Sequence, residues 1–347
     1  MTVAGALLRR RFPRLPVGVP RLFEVEPGTQ LRGDCHWQPD RRKHPTLVLL
    51  HGLEGSSESE YILGTAEKAF LAGLNVVRLN QRNCGGTERL TETLYHSGRS
   101  ADFRITLLEL IERDRLPALV FAGFSMGGNL ALKMAGEWGD SAPAQLRGTV
   151  AVAPCLDLAA CADALSERRN FLFNRHFVKS LKRRMRRKAS LFPDVYGTNG
   201  LLAELERVRS VRQFDEAITA RSCAFEGADD YYARSSAMHF LAAIRMPTLI
   251  LTAQNDPFVP FRIFQTSAIA DNRNIQLVAP AHGGHCAFIS QEKGDERFWS
   301  EARIVEFSGQ QARLDGPGGA VSFDRGTTPA GTKDKARRAQ KESQAWR

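Results

Sequence analysis

The chain has 347 residues, 43% apolar and 25% charged, enough to bury a substantial core as one large domain or two modest ones. No apolar run approaches the roughly 18 residues of a membrane-spanning helix; the longest, such as residues 117 to 124, are strand-sized, which excludes an integral membrane protein. The net charge of +10 sits on three segments: residues 1 to 21 carry five Arg and no acid, residues 155 to 245 carry 16 basic against 11 acidic, and residues 309 to 347 carry 8 against 4. The rest is net negative, so no nucleic-acid partner is expected.

In chain order, residues 1 to 20 read as a basic arm. The apolar run Val3 to Leu8 precedes Arg9, Arg10 and Arg11, the reverse of a secretory signal, and the expected location is cytoplasmic. Residues 21 to 37 hold Pro27 and Gly28 between two short runs, predicting a β-hairpin. From residue 46 the chain alternates helical stretches with continuous apolar runs, the pattern of buried parallel strands. The predicted strands are Thr46 to Leu50, Val76 to Leu79, Ala118 to Ala122, Thr149 to Ala153, Thr248 to Thr252 and Ile275 to Ala279. About ninety helical, charged residues, 155 to 245, separate the fourth from the fifth, too many for an ordinary connection; they are read as a lid inserted into a domain spanning 21 to 308. Residues 309 to 347 are poor in apolar side chains and are expected to be a disordered tail. The six cysteines follow no metal or disulfide spacing and are read as free thiols.

Three places carry chemistry. ALVFAGFSMGGNLAL is a strand, then G-x-S-x-G at Gly123 to Gly127, then a helical run, the context of a nucleophile elbow presenting Ser125. A serine hydroxyl needs a general base and an acid to orient it. Asp256 follows the strand Thr248 to Thr252, at the sheet edge where open α/β folds bind ligands. His285 lies in PAHGGHCAF after the last strand, with His282 as its rival for the base; Asp229 and Asp230 are rival acids within the lid. A metal site on His282, His285 and Asp256 is disfavoured, because the two His are three apart in a Gly loop and lack a third ligand at useful spacing, so no metal or cofactor is expected. An oxyanion would find main-chain donors at Leu53, in HGLEGSS, and at Met126, directly after the nucleophile; His51 reads as structural. Arg82 and Cys84, in the loop Asn80 to Gly86, are either substrate contacts or parts of a structural turn. Lys179 to Lys188 holds seven cations around a stripe of Val178, Leu181, Met185 and Phe192 at helical spacing, a solvated lid helix or a surface for anionic lipid.

The strings HGLEGSSESEYI, NQRNCGGTERLTETLYHSG, GFSMGGNL, GADDYYARSSA, PTLILTAQNDPFVP and HGGHCAF resemble, in order and spacing, the YheT-like branch of the α/β-hydrolase superfamily. The resemblance covers roughly residues 20 to 300. It implies an α/β-hydrolase fold, a mostly parallel sheet flanked by helices, and a triad of Ser125, Asp256 and His285, the G-G-H motif favouring His285 over His282. It also implies hydrolysis of carboxylic esters, with acylglycerol or medium-chain lipid substrates known among relatives. Acyltransferase or thioesterase chemistry on the same triad, or a non-catalytic module binding an anionic partner, are the alternatives.

Overall fold

Eight strands form one sheet in the order β1-β2-β4-β3-β5-β6-β7-β8: β1 (Val19–Glu26), β2 (Thr29–His36), β3 (Thr46–Leu50), β4 (Asn75–Leu79), β5 (Leu119–Phe124), β6 (Leu146–Val152), β7 (Thr248–Leu251) and β8 (Ile275–Val278). The computed structural model describes residues 10–197, 200–290 and 297–313, all within the compact unit Met1–Leu314. Gly28, at φ 75°, turns the β1–β2 hairpin, which joins the sheet antiparallel to β4. From β4 to β8 every pairing is parallel. The predicted strands and hairpin stand within a few residues of their expected bounds.

Continuous apolar runs are needed because both faces are covered. On one face, Leu47, Leu49, Val120 and Val150 pack with Ile62 and Ala66 of α1 (Glu60–Leu71) and with Ile304 and Phe307 of α8 (Trp299–Gln311). On the other, Val48, Leu50 and Phe121 meet Phe103 and Leu107 of α2 (Ser100–Glu112) and Leu130 and Met134 of α3 (Met126–Trp138).

The lid leaves the sheet after β6. It comprises α4 (Leu158–Ser166), the 21-residue α5 (Phe171–Leu191), α6 (Leu201–Arg207) and α7 (Ala228–Ser235), with shorter turns between them. Val178, Leu181 and Met185 of α5 pack into the main core, as their spacing predicts. Asn129, on α3, ties the lid to the elbow: its amide donates to the carbonyls of Ser97 and Ser235 and accepts from the N–H of Ala237.

Two boundaries differ from the sequence reading. The sheet begins at Val19, inside the expected arm, and α8 runs to Gln311, past Ser308. The arm's Arg10 forms an ion pair with the buried Glu301 and lies 3.5 Å from the Phe298 ring centroid, and Arg14 donates its N–H to Glu67. A buried carboxylate requires a cation, and the arm's Arg10 and Lys68 of α1, 3.2 Å away, both supply one. The tail from residue 314 onward lies outside the described residues.

Candidate active site

The candidate residues gather at the carboxyl ends of the parallel strands. Several loops leaving this edge hold a non-glycine residue in the left-handed region: Glu54 after β3, Asn83 after β4, Ser125 after β5, Ala153 after β6 and Cys286 after β8. Such conformations cost roughly 1–3 kcal/mol each and collect where a site demands them.

Ser125, at φ 54° and ψ −117°, forms the turn between β5 and α3. Glycine is obligatory on either side. A Cβ on Gly123 would stand 2.0 Å from the Gly127 carbonyl oxygen, and one on Gly127 would stand 2.5 Å from that of His51. The turn is pinned by the Ser125 N–H, which donates to Val152 O at 2.8 Å.

The structure brings Ser125, His285 and Asp256 into one chain of hydrogen bonds. His285 Nε2 lies 2.9 Å from Ser125 Oγ, and Nδ1 lies 2.8 Å from Asp256 Oδ2. Asp256 Oδ1 accepts from the N–H groups of Phe258 and Val259, at 2.9 and 3.1 Å, so one oxygen is fixed by its own turn and the other is left for the imidazole. With the carboxylate holding the Nδ1 proton, Nε2 is the acceptor that faces the serine hydroxyl. Phe258 packs edge-on against the His285 ring. Burial disfavours the imidazolium, yet the Asp256 charge and hydrogen bond dominate and hold His285 well above the usual histidine range.

His282 is exposed, 3.3 Å from the Asn255 amide. Asn255 Oδ1 in turn accepts from the N–H groups of Gly283 and Gly284, at 3.0 Å each, so the residue before the acid shapes the loop that carries His285. Asp229 is paired with Arg212 and Asp230 with Arg234, both within the lid. His51 is fully buried; Nδ1 donates to Gly52 O and Nε2 accepts from Gln81 N–H, a structural role. Arg82 is also structural, locked to Asp102 and Glu26, and Cys84 is buried against Arg184 at 2.9 Å. Leu53 and Met126 line the same cavity as Ser125 and His285. Among the described residues, neither of their N–H groups donates to another group.

That cavity, of about 810 Å³ with its open mouth included, lies between the sheet edge and the lid. Leu158, Leu165, Phe177, Leu181, Val211 and Phe214 of the lid form much of its wall, which suits an apolar chain. Three lining groups escape the sequence reading. The Cys155 thiol is 3.7 Å from Ser125 Oγ, Tyr95 packs under Arg184, and Asp215 projects from the lid. Cys155 and Asp215 belong to no sequence motif and Tyr95 is one unmarked position of the string Asn80 to Gly98, so only the fold brings them here.

The sequence model for the α/β-hydrolase fold matches residues 45–292. The YheT protein of Escherichia coli is 32% identical over 278 residues, 79% of this chain and 80% of its own length. Mouse phospholipase ABHD3 is 28% identical over 251 residues, 72% of this chain, which spans only 60% of that protein. Among solved structures, the Pyrococcus furiosus esterase Pf2001 superposes with a TM-score of 0.57 at 16% identity, covering 88% of this chain and 96% of that one; at that identity the likeness concerns the fold. The extent of the family match and the identity to the bacterial relative show that the chain belongs to the α/β-hydrolase family.

Proposed function

We propose that this protein is a serine hydrolase that cleaves carboxylic esters through an acyl-enzyme, with Ser125 as nucleophile, His285 as base and then acid, and Asp256 as the orienting carboxylate. The observation that carries the reading is the hydrogen-bonded chain from Ser125 through His285 to Asp256 at an apolar cavity. Ser125 Oγ attacks the ester carbonyl while Nε2 takes its proton, and Asp256, remaining ionised, stabilises the imidazolium. The N–H groups of Leu53 and Met126 receive the oxyanion. Nε2 then protonates the departing alkoxide, and water, activated in the same way, releases the acid. No metal or cofactor takes part in these steps.

The apolar wall favours short- to medium-chain acyl groups, including those of lipid esters; relatives named as a phospholipase and as a yeast medium-chain fatty acid ethyl ester synthase/esterase support that class. The yeast name also supports a second reading, transfer of the acyl group to an alcohol instead of water. Both reactions use one acyl-enzyme, and the acceptor decides between them.

We further propose a cytoplasmic protein that touches anionic membrane surfaces through α5. The six cysteines are free, which suits a reducing compartment. The start of α5 exposes Phe171 and Leu172 beside Arg168, Arg169 and Arg175, and Lys179 and Arg183 continue that outer face. Apolar side chains among cations are the composition of an interfacial helix.

A panel of p-nitrophenyl esters of increasing chain length, monoacylglycerols and acyl-CoA thioesters, with and without added ethanol, tests the reading. Turnover of oxygen esters with a maximum at short to medium chains is expected. Preference for thioesters, or no turnover of any acyl compound, would contradict it.

A further inference from the structure

The acyl cavity is not apolar throughout. Six lid residues, Asp215–Ala220, form a single turn of π-helix, a wound-out geometry that often marks a functional site. Its first and fifth residues, Asp215 and Thr219, both line the cavity that holds Ser125 and His285. Thr219 donates its hydroxyl to Asp215 Oδ1 and Tyr232 donates to Oδ2, each at 2.8 Å. A carboxylate in an otherwise apolar chamber is costly to desolvate, and the burial pushes Asp215 up to about 6.

Two tyrosine hydroxyls on this wall are committed elsewhere. Tyr231 donates to Ser97 Oγ and accepts from the Ser97 N–H, and Tyr95 donates to Glu54 while accepting from Arg184. Asp215 differs. Each oxygen accepts a single bond from Thr219 or Tyr232, and a carboxylate offers about four acceptor sites, so acceptor capacity remains toward the cavity. A cationic ligand is disfavoured there, because the Arg184 and Arg212 guanidiniums already lie over the rings of Tyr95 and Tyr232, at 4.2 and 5.4 Å. A neutral hydroxyl meets no such opposition and supplies the donor that the carboxylate can take.

We propose that Asp215 is a specificity-determining residue that selects acyl chains bearing a hydroxyl group, receiving the hydroxyl proton as a hydrogen bond while Ser125 attacks the ester. The inference rests on the carboxylic-ester reading and names the substrate class within it. Thr219 and Tyr232 hold the carboxylate in place.

The test compares ethyl esters of hexanoate, octanoate and decanoate with their ω-hydroxy counterparts, in wild type, Asp215→Asn and Asp215→Leu. In wild type the best ω-hydroxy ester should exceed its parent in kcat/KM by about tenfold or more. Asp215→Leu should lower that ratio by about ten- to a hundredfold, and Asp215→Asn, which keeps one acceptor oxygen, should fall between. A residue that only braces the lid would lower both esters together and leave the ratio unchanged, which overturns the proposal. Calorimetry on Ser125→Ala protein measures binding of the same esters without turnover. Tighter binding of the hydroxylated ester, lost in the Ser125→Ala, Asp215→Leu double variant, is expected. Discrimination in binding without wild-type hydrolysis would refute the ester reading alone. Equal binding of both esters would refute the role of Asp215 alone.

Discussion

The sheet edge and the lid enclose one cavity by opposite means. At the edge, loops leave the carboxyl ends of the strands, and two of the three candidate side chains are fixed by their own turns: Ser125 by a strained elbow between glycines, Asp256 by two N–H groups of the residues that follow it. The lid is helical and charge-rich, and its groups are positioned by packing against distant segments. Arg184 of α5 reaches Glu54 in the loop after β3, stacks on Tyr95 at 4.2 Å and meets Cys84. Lys188, wholly buried, donates to the carbonyls of Glu88 and Thr91. Ser125 and Asp256 are held by local backbone geometry, whereas Arg184 and Lys188 of the lid are held by segments about a hundred residues away in the chain.

That difference orders the expected effects of mutation. At the edge, Ser125→Ala should lower kcat/KM for any ester substrate by about 10⁴-fold or more, with an unchanged denaturation midpoint, because the hydroxyl contributes little to packing. Steady-state kinetics beside chemical denaturation checks both halves.

Asp256→Asn should lower kcat by about 10⁴-fold through the wrong imidazole tautomer and should also move the pH profile. Only neutral His285 accepts the serine proton, so kcat/KM rises with pH. Burial lowers the affinity of this imidazole for a proton, but Asp256 outweighs it and sets the rise above the ordinary histidine value of 6.5. Without the Asp256 charge, the midpoint should fall to lower pH. A residual pH profile unmoved from wild type would show that the carboxylate does not face His285.

In the lid the expected losses are of stability first. Arg184→Met leaves Glu54 buried without its cation and should cost about 3 kcal/mol, with activity falling because Glu54 adjoins Leu53. Arg183→Glu, one position away on the exposed side, should stay within about 0.5 kcal/mol of wild type. Urea titration of the two variants sharpens the distinction between structural and surface cations, and equal effects would remove it.

The smallest effect on turnover and stability belongs to the outer face of the lid, which is read by binding instead. Reversing Arg168, Arg175, Lys179 and Arg183 to Glu should weaken association with anionic vesicles by about 1 kcal/mol for each charge removed near the surface, less at high salt. Hydrolysis of a short soluble ester should hold. Co-sedimentation at two ionic strengths reads the change, and vesicle binding indifferent to the four reversals would leave α5 a solvated helix.

The same contrast explains what could be read in the sequence. Parallel strands covered on both faces must be continuous apolar runs, so β3 appears at its full extent, Thr46–Leu50. The elbow is legible because its two glycines flank the serine within five residues, although only Gly123 is demanded by backbone of the turn itself and Gly127 by the carbonyl of His51. The choice between His282 and His285 is not, since both sit in one glycine loop and only the position of Asp256 separates them; the resemblance, not the spacing, favoured His285. In the lid, charge counting treats every cation of Lys179 to Lys188 alike, yet Arg184 and Lys188 lie three and seven residues after Leu181, on the helix side that packs inward. The spacing held that signal. Asp215 held none, because nothing local marks a carboxylate whose π-helical turn faces a cavity built by distant segments.

The central claim is that His285, oriented by Asp256, activates Ser125. Labelling with a fluorophosphonate probe, followed by mass spectrometry of the peptides, tests it most directly, since the probe reacts covalently only with an activated serine. The account expects one adduct, on Ser125 in wild type, that is lost in His285→Ala and kept in His282→Ala. An adduct on a different serine, or labelling of Ser125 unchanged by His285→Ala, would contradict it.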